Sequence, residues 1–208
     1  IKQKIILLGP NHTGSGGQFS IMTSGIWQTP LGEVKIDSRL TEQLLTHSKY
    51  LEADELAHTY EHSLEVELPF LQYFKSDFEI APIVILSDDI SILKEIGGEI
   101  ANNIKEYQEK KSIMLIASSD MTHYESQVQA QKKDQEAIKA ILDLDEDKLM
   151  RSIKKLDISM CGYAPVIVTL VAAKLLGAKV GELVKYQTSG DVTGEKDSVV
   201  GYAGMIIY

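Results

Sequence analysis

Short apolar runs alternate along the chain with longer segments in which apolar residues recur every three or four positions. Residues 5–8 (Ile-Ile-Leu-Leu) form a branched, apolar run closed by Gly9-Pro10, the pattern of a buried strand. A Gly-rich loop, residues 11–17, follows, and residues 19–24 and the region of Trp27 look extended. Helical spacing then runs over residues 39–48 through Leu40, Leu44 and Leu45. It returns over residues 61–74 through Leu64, Leu68 and Leu71, where Pro69 should kink the helix. Residues 78–86 predict a second buried strand, and residues 90–107 a helix with Ile92, Ile96, Ile100 and Ile104 on one stripe. A third buried strand is expected over residues 112–117, ending in the polar stretch Ser118 to His123. Helices follow over residues 128–142 and 146–156, the second capped by Asp145, and an apolar helix over residues 161–176 stops at Gly177. Residues 179–187 and 198–208 close the chain as strands.

This alternation predicts one α/β unit over residues 1–208, a three-layer α/β/α sandwich around a central mixed sheet. The two last strands are expected to join that sheet, pairing antiparallel. No internal repeat or low-complexity tract interrupts the chain.

Composition narrows the function classes. The 208 residues are 44% hydrophobic and 25% charged, ordinary for a globular chain and unlike a disordered one. The formal net charge of −9 argues against a nucleic-acid partner, which needs a basic face, and a basic run such as Lys110-Lys111 is too small to supply it. No apolar run approaches the ~20 residues of a membrane span. A single cysteine, Cys161, excludes an internal disulfide and fits a reducing, cytoplasmic compartment. The chain opens at Ile1 without a Met and enters a strand almost at once, so an N-terminal segment is expected to be missing.

Candidate chemistry collects at predicted strand ends: Asn11 and His12 after the first strand, Asp120 and His123 after the third. Cys161 is expected to open the apolar helix, where the positive helix end would favour its thiolate. Histidine, carboxylate and thiolate together make a metal-ligand set. Three other patterns compete with it. His58-Thr59-Tyr60-Glu61-His62 spells the H-x-x-E-H of inverted zinc peptidases, although its first half looks like a loop. Gly14-Ser15-Gly16-Gly17 follows a strand but lacks either phosphate-loop register. Ser118 or Ser119 with His and Asp would make a hydrolase triad, but no G-x-S-x-G elbow is present.

Five ordered motifs together resemble the Memo family, whose prokaryotic members are described as AmmeMemoRadiSam system protein B. They are Gly9-Pro10-Asn11-His12, Glu61-His62-Ser63, Ser118-Ser119-Asp120-Met121-Thr122-His123, Cys161-Gly162, and Ser189-Gly190-Asp191 with Ser198 to Tyr202. The resemblance covers nearly the whole chain. It implies a fold similar to that of the LigB-like class III extradiol dioxygenases, which are non-haem iron enzymes. It also implies His12 and Cys161 as metal ligands, Cys161 standing where the dioxygenases carry a Glu, with His123 as acid/base and Asp120 beside it. Asn11, His62 and Asp191 would line the pocket, and His58 lies outside the motif. A further His ligand of the family belongs to a P-H-A-G-Y motif that this chain does not contain. The implied cofactor is iron or copper, with zinc as a third metal suited to the donors. The implied partner is a small-molecule substrate or a peptide, and the implied activity a metal-dependent, dioxygenase-like oxidoreduction. A non-catalytic partner protein retaining the same pocket is the alternative.

Overall fold

A computed structural model describes residues 3–208. At its centre lies strand β1 (Gln3–Pro10), buried from Lys4 to Pro10. Its backbone is paired on both sides by parallel strands that are not its sequence neighbours. These are β6 (Phe78–Ile85), with Ile6 opposite Ala81, and β7 (Ile113–Ala117), with Ile6 opposite Leu115. Beyond β6 come β4 (Gly32–Ile36), parallel to it, and β3 (Ile26–Thr29), which forms a hairpin with β4. The far end of β6 also pairs with β2 (Phe19–Ile21), and β2 with β5 (Glu52–Ala53). The main path of the sheet is therefore β3-β4-β6-β1-β7.

The two-residue period of β1 builds both flanking layers. Ile6 and Leu8 face one way, into a core with Ile96 and Ile100 of α4 (Ile90–Glu106) and Ile167, Val168 and Leu170 of α7 (Tyr163–Leu176). Ile5 and Leu7 face the other way, into a core with Val34, Ile36, Leu64, Leu68 and Val84. That second core is roofed by α3 (Leu68–Phe74), which follows the short helix α2 (Leu56–Thr59) and a single 3-10 turn at Glu65–Glu67. Helix α1 (Ser38–Thr46) follows β4 and adds Leu40 and Leu44 to the first core. The three-layer arrangement expected from the sequence is present. Pro69 does not kink a helix over residues 61–74: α3 starts at Leu68, so the proline sits in its first turn, where its missing N–H costs nothing.

The two closing strands do not join the central sheet. β9 (Gly181–Thr188) and β10 (Val199–Ile207) pair antiparallel with each other, and β10 pairs with the short β8 (His123–Glu125), in a separate three-stranded sheet. Their apolar residues are not buried on two faces. Tyr186, Ala203, Met205 and Ile207 pack on the first core, while Val184, Tyr202 and Ile206 face out. One-sided burial is the signature of a solvent-facing antiparallel sheet. Helix α5 (Gln127–Leu142) packs against this region, α6 (Glu146–Leu156) packs on α5 and α7, and the one-turn α8 (Gly190–Thr193) links β9 to β10. The Asp145 carboxylate caps α6 by accepting the Lys148 N–H at 2.8 Å, as expected.

The two sheets are joined by the chain that leaves β7. Ser118 N donates to Leu8 O (2.8 Å), continuing the pairing with β1. Three residues later Met121 N donates to Gly201 O (2.9 Å), and Gly201 N returns a bond to Thr122 O. The buried Asp134 carboxylate of α5 accepts Thr122 N (2.9 Å) and the Tyr186 hydroxyl (2.7 Å), fastening the crossing to β9. No helix among the described residues is long and apolar enough to cross a membrane.

At the opposite end of β1 a buried ion pair secures the sheet. The Lys4 ammonium donates to Asp37, and Asp37 also caps α1 by accepting Leu40 N at 3.0 Å. Both side chains are almost fully buried, and Glu79 and Glu109 lie further off, at 3.7 and 4.0 Å. Burial disfavours the Lys4 charge, but the bond to Asp37 outweighs it and raises the lysine pKa. Asp37→Ala should therefore cost about 3–5 kcal/mol, because it strands a buried charge and removes a cap. Adding Lys4→Met should restore a large part of that loss, and a double-mutant cycle by chemical denaturation checks it.

Candidate metal centre

The functional residues predicted from sequence emerge where β1 and β7 run out side by side, Leu8 opposite Ala117. After Pro10 the chain turns on Asn11. Its carboxamide oxygen accepts Thr13 N, Thr13 Oγ1 and Gly14 N at 3.0–3.1 Å, and its Nδ2 donates to Ser15 O (2.8 Å). This buried Asx turn shapes the loop that holds up His12.

His12 is fixed by Glu61. The Glu61 carboxylate accepts the His12 backbone N–H, the His12 Nδ1–H (2.8 Å), and the backbone N–H groups of His62 and Ser63 (2.9 Å each). Its side chain is 2% exposed. Burial opposes ionisation, but the bonds from the His12 ring and from the Ser63 and His12 N–H groups outweigh it and hold the carboxyl at about 2. An ionised carboxylate only accepts, so Nδ1 carries the proton and His12 Nε2 keeps its lone pair. The His62 ring stacks on His12 with centroids 4.7 Å apart and planes 17° from parallel. The segment carrying Glu61 lies close on β1: Ser63 Oγ donates to Pro10 O (2.9 Å), and a Cβ on Gly9 would stand 2.5 Å from Leu64 Cδ2.

A second group forms around the end of β7. Asp120, His123 and Cys161 each offer a donor atom within 4.8 Å of the others. The His123 Nδ1–H donates to Ser159 O (2.7 Å), which leaves Nε2, 3.4 Å from Asp120 Oδ2, as the lone pair of the neutral ring. Asp120 N donates to Cys161 Sγ at 3.2 Å. Cys161 does not open α7: it sits ahead of Gly162, the cap residue, so the thiolate gains nothing from a first-turn position. Burial pushes its thiol pKa up, against the bond from Asp120 N. Gly162 permits the contact, since a Cβ there would lie 2.3 Å from Ser118 O, and its N–H donates to Ser119 Oγ (2.9 Å).

Glu67 connects the two groups. Burial raises its pKa, with Ser118 bonding in opposition and the Asp120 charge adding to the rise. The segment from Glu61 to Glu67 thus runs from the His12 loop to the Ser118–Asp120 strand end. Glu67 was not singled out from sequence, and Glu61 only as the Glu of the H-x-x-E-H pattern. The E-H-S-x-E-x-E run was a usable signal, because a carboxylate next to a loop His is a natural orienter.

The competing patterns do not assemble. Helix α2 ends at Thr59, so His58 and His62 share no helix face, and it is the first half of the motif, not the second, that is helical. His58 is buried edge-on to Trp27, with centroids 6.0 Å apart, belongs to neither donor group, and has its pKa lowered by burial. Ser119 Oγ is engaged with Asp120 O and Gly162 N. Asp191 serves the backbone: its carboxylate accepts Thr188 N (2.8 Å), Thr188 Oγ1 and Gln127 Nε2, and the Thr188 bond holds its pKa low.

An α/β sandwich with imidazole, thiol and carboxylate donors grouped beyond the carboxyl ends of adjacent parallel strands is the architecture of a candidate metal-binding α/β protein. The family model described as Memo-like protein matches residues 1–206, and the chain belongs to the Memo family. It is 46% identical over 207 residues to a MEMO1 family protein of Methanocaldococcus jannaschii, covering 98% of this chain and 71% of that one. It is 43% identical over 205 residues to one from Methanopyrus kandleri (98% and 72%), and 46% over 199 residues to one from Saccharolobus solfataricus (95% and 69%).

The depressed Glu61 pKa is a statement about stability. It corresponds to roughly 3 kcal/mol, present above the ordinary carboxyl range and lost as the pH falls toward 2. Glu61→Gln, in chelator-treated protein, should therefore melt well below the wild type at pH 7. The gap should narrow steadily as melts are repeated from pH 5 downward.

Proposed function

We propose that the chain carries a mononuclear metal site with His12 and Cys161 as ligands and His123 as acid/base, serving a dioxygenase-like oxidoreduction of a small substrate. The observation that carries this reading is the matched state of the two histidines. Each ring has Nδ1 committed to an acceptor, Glu61 for His12 and the Ser159 carbonyl for His123, and each presents Nε2 as a lone pair. Such outer partners fix tautomer and orientation and raise ligand basicity. Borderline imidazole nitrogen, soft sulfur and hard carboxylate suit iron, copper or zinc; His12 stands in one donor group and Cys161 with His123 and Asp120 in the other, so one ion held by both would span the two. Glu61 is read as the orienter of His12: three N–H groups crowd its Oε1 and the His12 backbone N–H takes its Oε2.

A redox metal bound here would supply one-electron chemistry toward oxygen. The protein's own part is positioning. His12 is held by Glu61 against rotation, and His62 covers one face of its ring. His123, tethered at its backbone N–H and its ring to Ser159, keeps Nε2 ready to take or return a proton beside Asp120. Cys161, protonated at neutral pH, gives up its proton on ligation.

The test is metal content and competitive titration with Fe(II), Cu(I) and Zn(II) under anaerobic conditions. Cys161→Ser and His12→Ala should each lower affinity by about 100-fold, within the range attributed to ligand and outer-partner changes. His58→Ala should leave affinity unchanged. Wild-type affinity in Cys161→Ser overturns the site. Oxygen uptake by Fe(II)-loaded protein with catechol-type compounds, lost in His123→Ala, checks the activity.

A partner-binding role is the second reading, and one observation favours it. Helix α3, directly after the Glu61–Glu67 segment, turns Phe70, Tyr73 and Phe74 outward at 71–85% exposure. Exposed aromatics grouped in this way commonly mark an interaction surface. Absence of oxygen uptake with every catechol tried, with the metal bound, supports this reading over the first.

A further inference from the structure

Helices α5 and α6 face each other across a groove lined by two stripes of identical spacing. On α5 these are residues 129, 132, 133 and 136, and on α6 residues 148, 151, 152 and 155. The i, i+3, i+4, i+7 pattern is the one that normally carries an apolar seam between helices. Here it carries Lys132, Lys133, Lys148, Arg151 and Lys155, with Glu136 as the one acid in the lining. The apolar residues of α6, Leu149, Met150 and Ile153, are buried on its other side. In a chain of net charge −9 this is a local reversal of sign. It was not legible in the linear sequence because the stripes lie on separate helices, and the pairs Lys132-Lys133 and Lys154-Lys155 are no denser than Lys110-Lys111.

The charges are only partly balanced. Lys133 donates to Glu125 and to Asp157 O (2.8 Å), and Lys148 pairs with Asp143. The nearest carboxylate to Arg151 is Asp145 at 4.0 Å. Lys132 and Lys155 have no ion-pair partner among the described residues, and both are exposed. Like charges gathered in a concavity repel one another, and the low-dielectric walls focus their field outward. The groove encloses about 580 Å³, within the range of small-molecule sites rather than of a flat macromolecular face. Leu156 and the methylene stems of the lysines give it apolar walls.

We propose that this groove binds a small ligand bearing contiguous phosphates, whether free polyphosphate or the phosphate chain of a nucleotide. Lys132, Arg151 and Lys155 supply the charge that a polyphosphate neutralises, and the guanidinium suits bidentate contact with phosphate oxygens. Neither the donor groups of the metal centre nor the proposed oxidoreduction enters this argument.

The experiment is calorimetric titration of the full chain, chelator-treated, with ATP, ADP, tripolyphosphate and adenosine at 50 mM and 300 mM salt. Saturable binding of ATP and ADP is expected, weaker at the higher salt, with adenosine not bound. Tripolyphosphate binding as tightly as ATP would support free polyphosphate as the source of the phosphates, and tighter ATP would support the nucleotide. Lys132→Glu combined with Arg151→Glu should weaken ATP at least tenfold. The control, Lys110→Glu with Lys111→Glu, makes the same change in net charge outside the groove and should leave affinity unchanged. Circular dichroism checks that both variants stay folded. No saturable binding of any phosphate compound below 1 mM at 50 mM salt overturns the proposal. So does an equal loss in the Lys110/Lys111 control, which would mean that net charge and not the groove is responsible.

Discussion

Strand β1 is buried on both faces and along both edges, and that double enclosure sets most of the remaining structure. A backbone so placed must have its N–H and C=O groups paired on either side, which β6 and β7 do. Its side chains must be covered above and below, which requires α4 and α7 over Ile6 and Leu8, and the Leu64–Leu68 segment over Ile5 and Leu7. Polar groups are then tolerated only where the strand ends. The Lys4–Asp37 pair closes one end, and the His12 loop leaves the other. The site is located where it is because that is where the enclosure opens.

Within the opening, one carboxylate does the arranging. Glu61 gathers N–H groups from His12, His62 and Ser63, so a single buried anion sets the His12 tautomer, seats the His62 ring on it, and ties the loop after β1 to the segment that covers the second core. Three of these N–H groups fall on Oε1 and one on Oε2, so most of what this carboxylate can accept comes from the protein itself. This separates it from Asp120, which lies beside the His123 ring and remains half-exposed. Two acids near one centre thus take different roles through their hydrogen bonding, not their identity.

The elements legible in the sequence were those whose burial leaves a periodic trace. Two-sided burial made β1 and β6 readable as continuous apolar runs, half-buried β7 was readable by its branched apolar residues, and the isoleucine stripe made α4 readable as a helix. Where burial is one-sided the same residues misled, and β9 and β10 were placed in the wrong sheet. Pro69 was read as a kink because the spacing of Leu64, Leu68 and Leu71 runs helix-like through the 3-10 turn that precedes the helix. At the site, the motif residues were found but their tasks were not. Cys161 was taken for a helix start when it is held ahead of the helix by the close approach that Gly162 permits. Glu61 was weighed as a peptidase base and proved to be the orienter of His12. Relations between distant segments, the Glu67–Ser118 contact and the facing stripes of α5 and α6 among them, have no one-dimensional signature.

The register of β1 also bears on how the molecule reaches this state. Ile6 meets Ala81 on one side and Leu115 on the other, so its first-formed segment waits for chain made much later. Each pairing closes a long loop, and that entropy is spent before the central ladder returns any energy. The two donor groups depend on those same closures, one on the join between β1 and the Glu61 segment, the other on β7 with the still later Cys161. Local helices such as α4 and α6 need none of this. Maturation of the centre is therefore tied to the slowest, most non-local step of folding, so a chain can be largely helical well before it has anywhere to hold an ion.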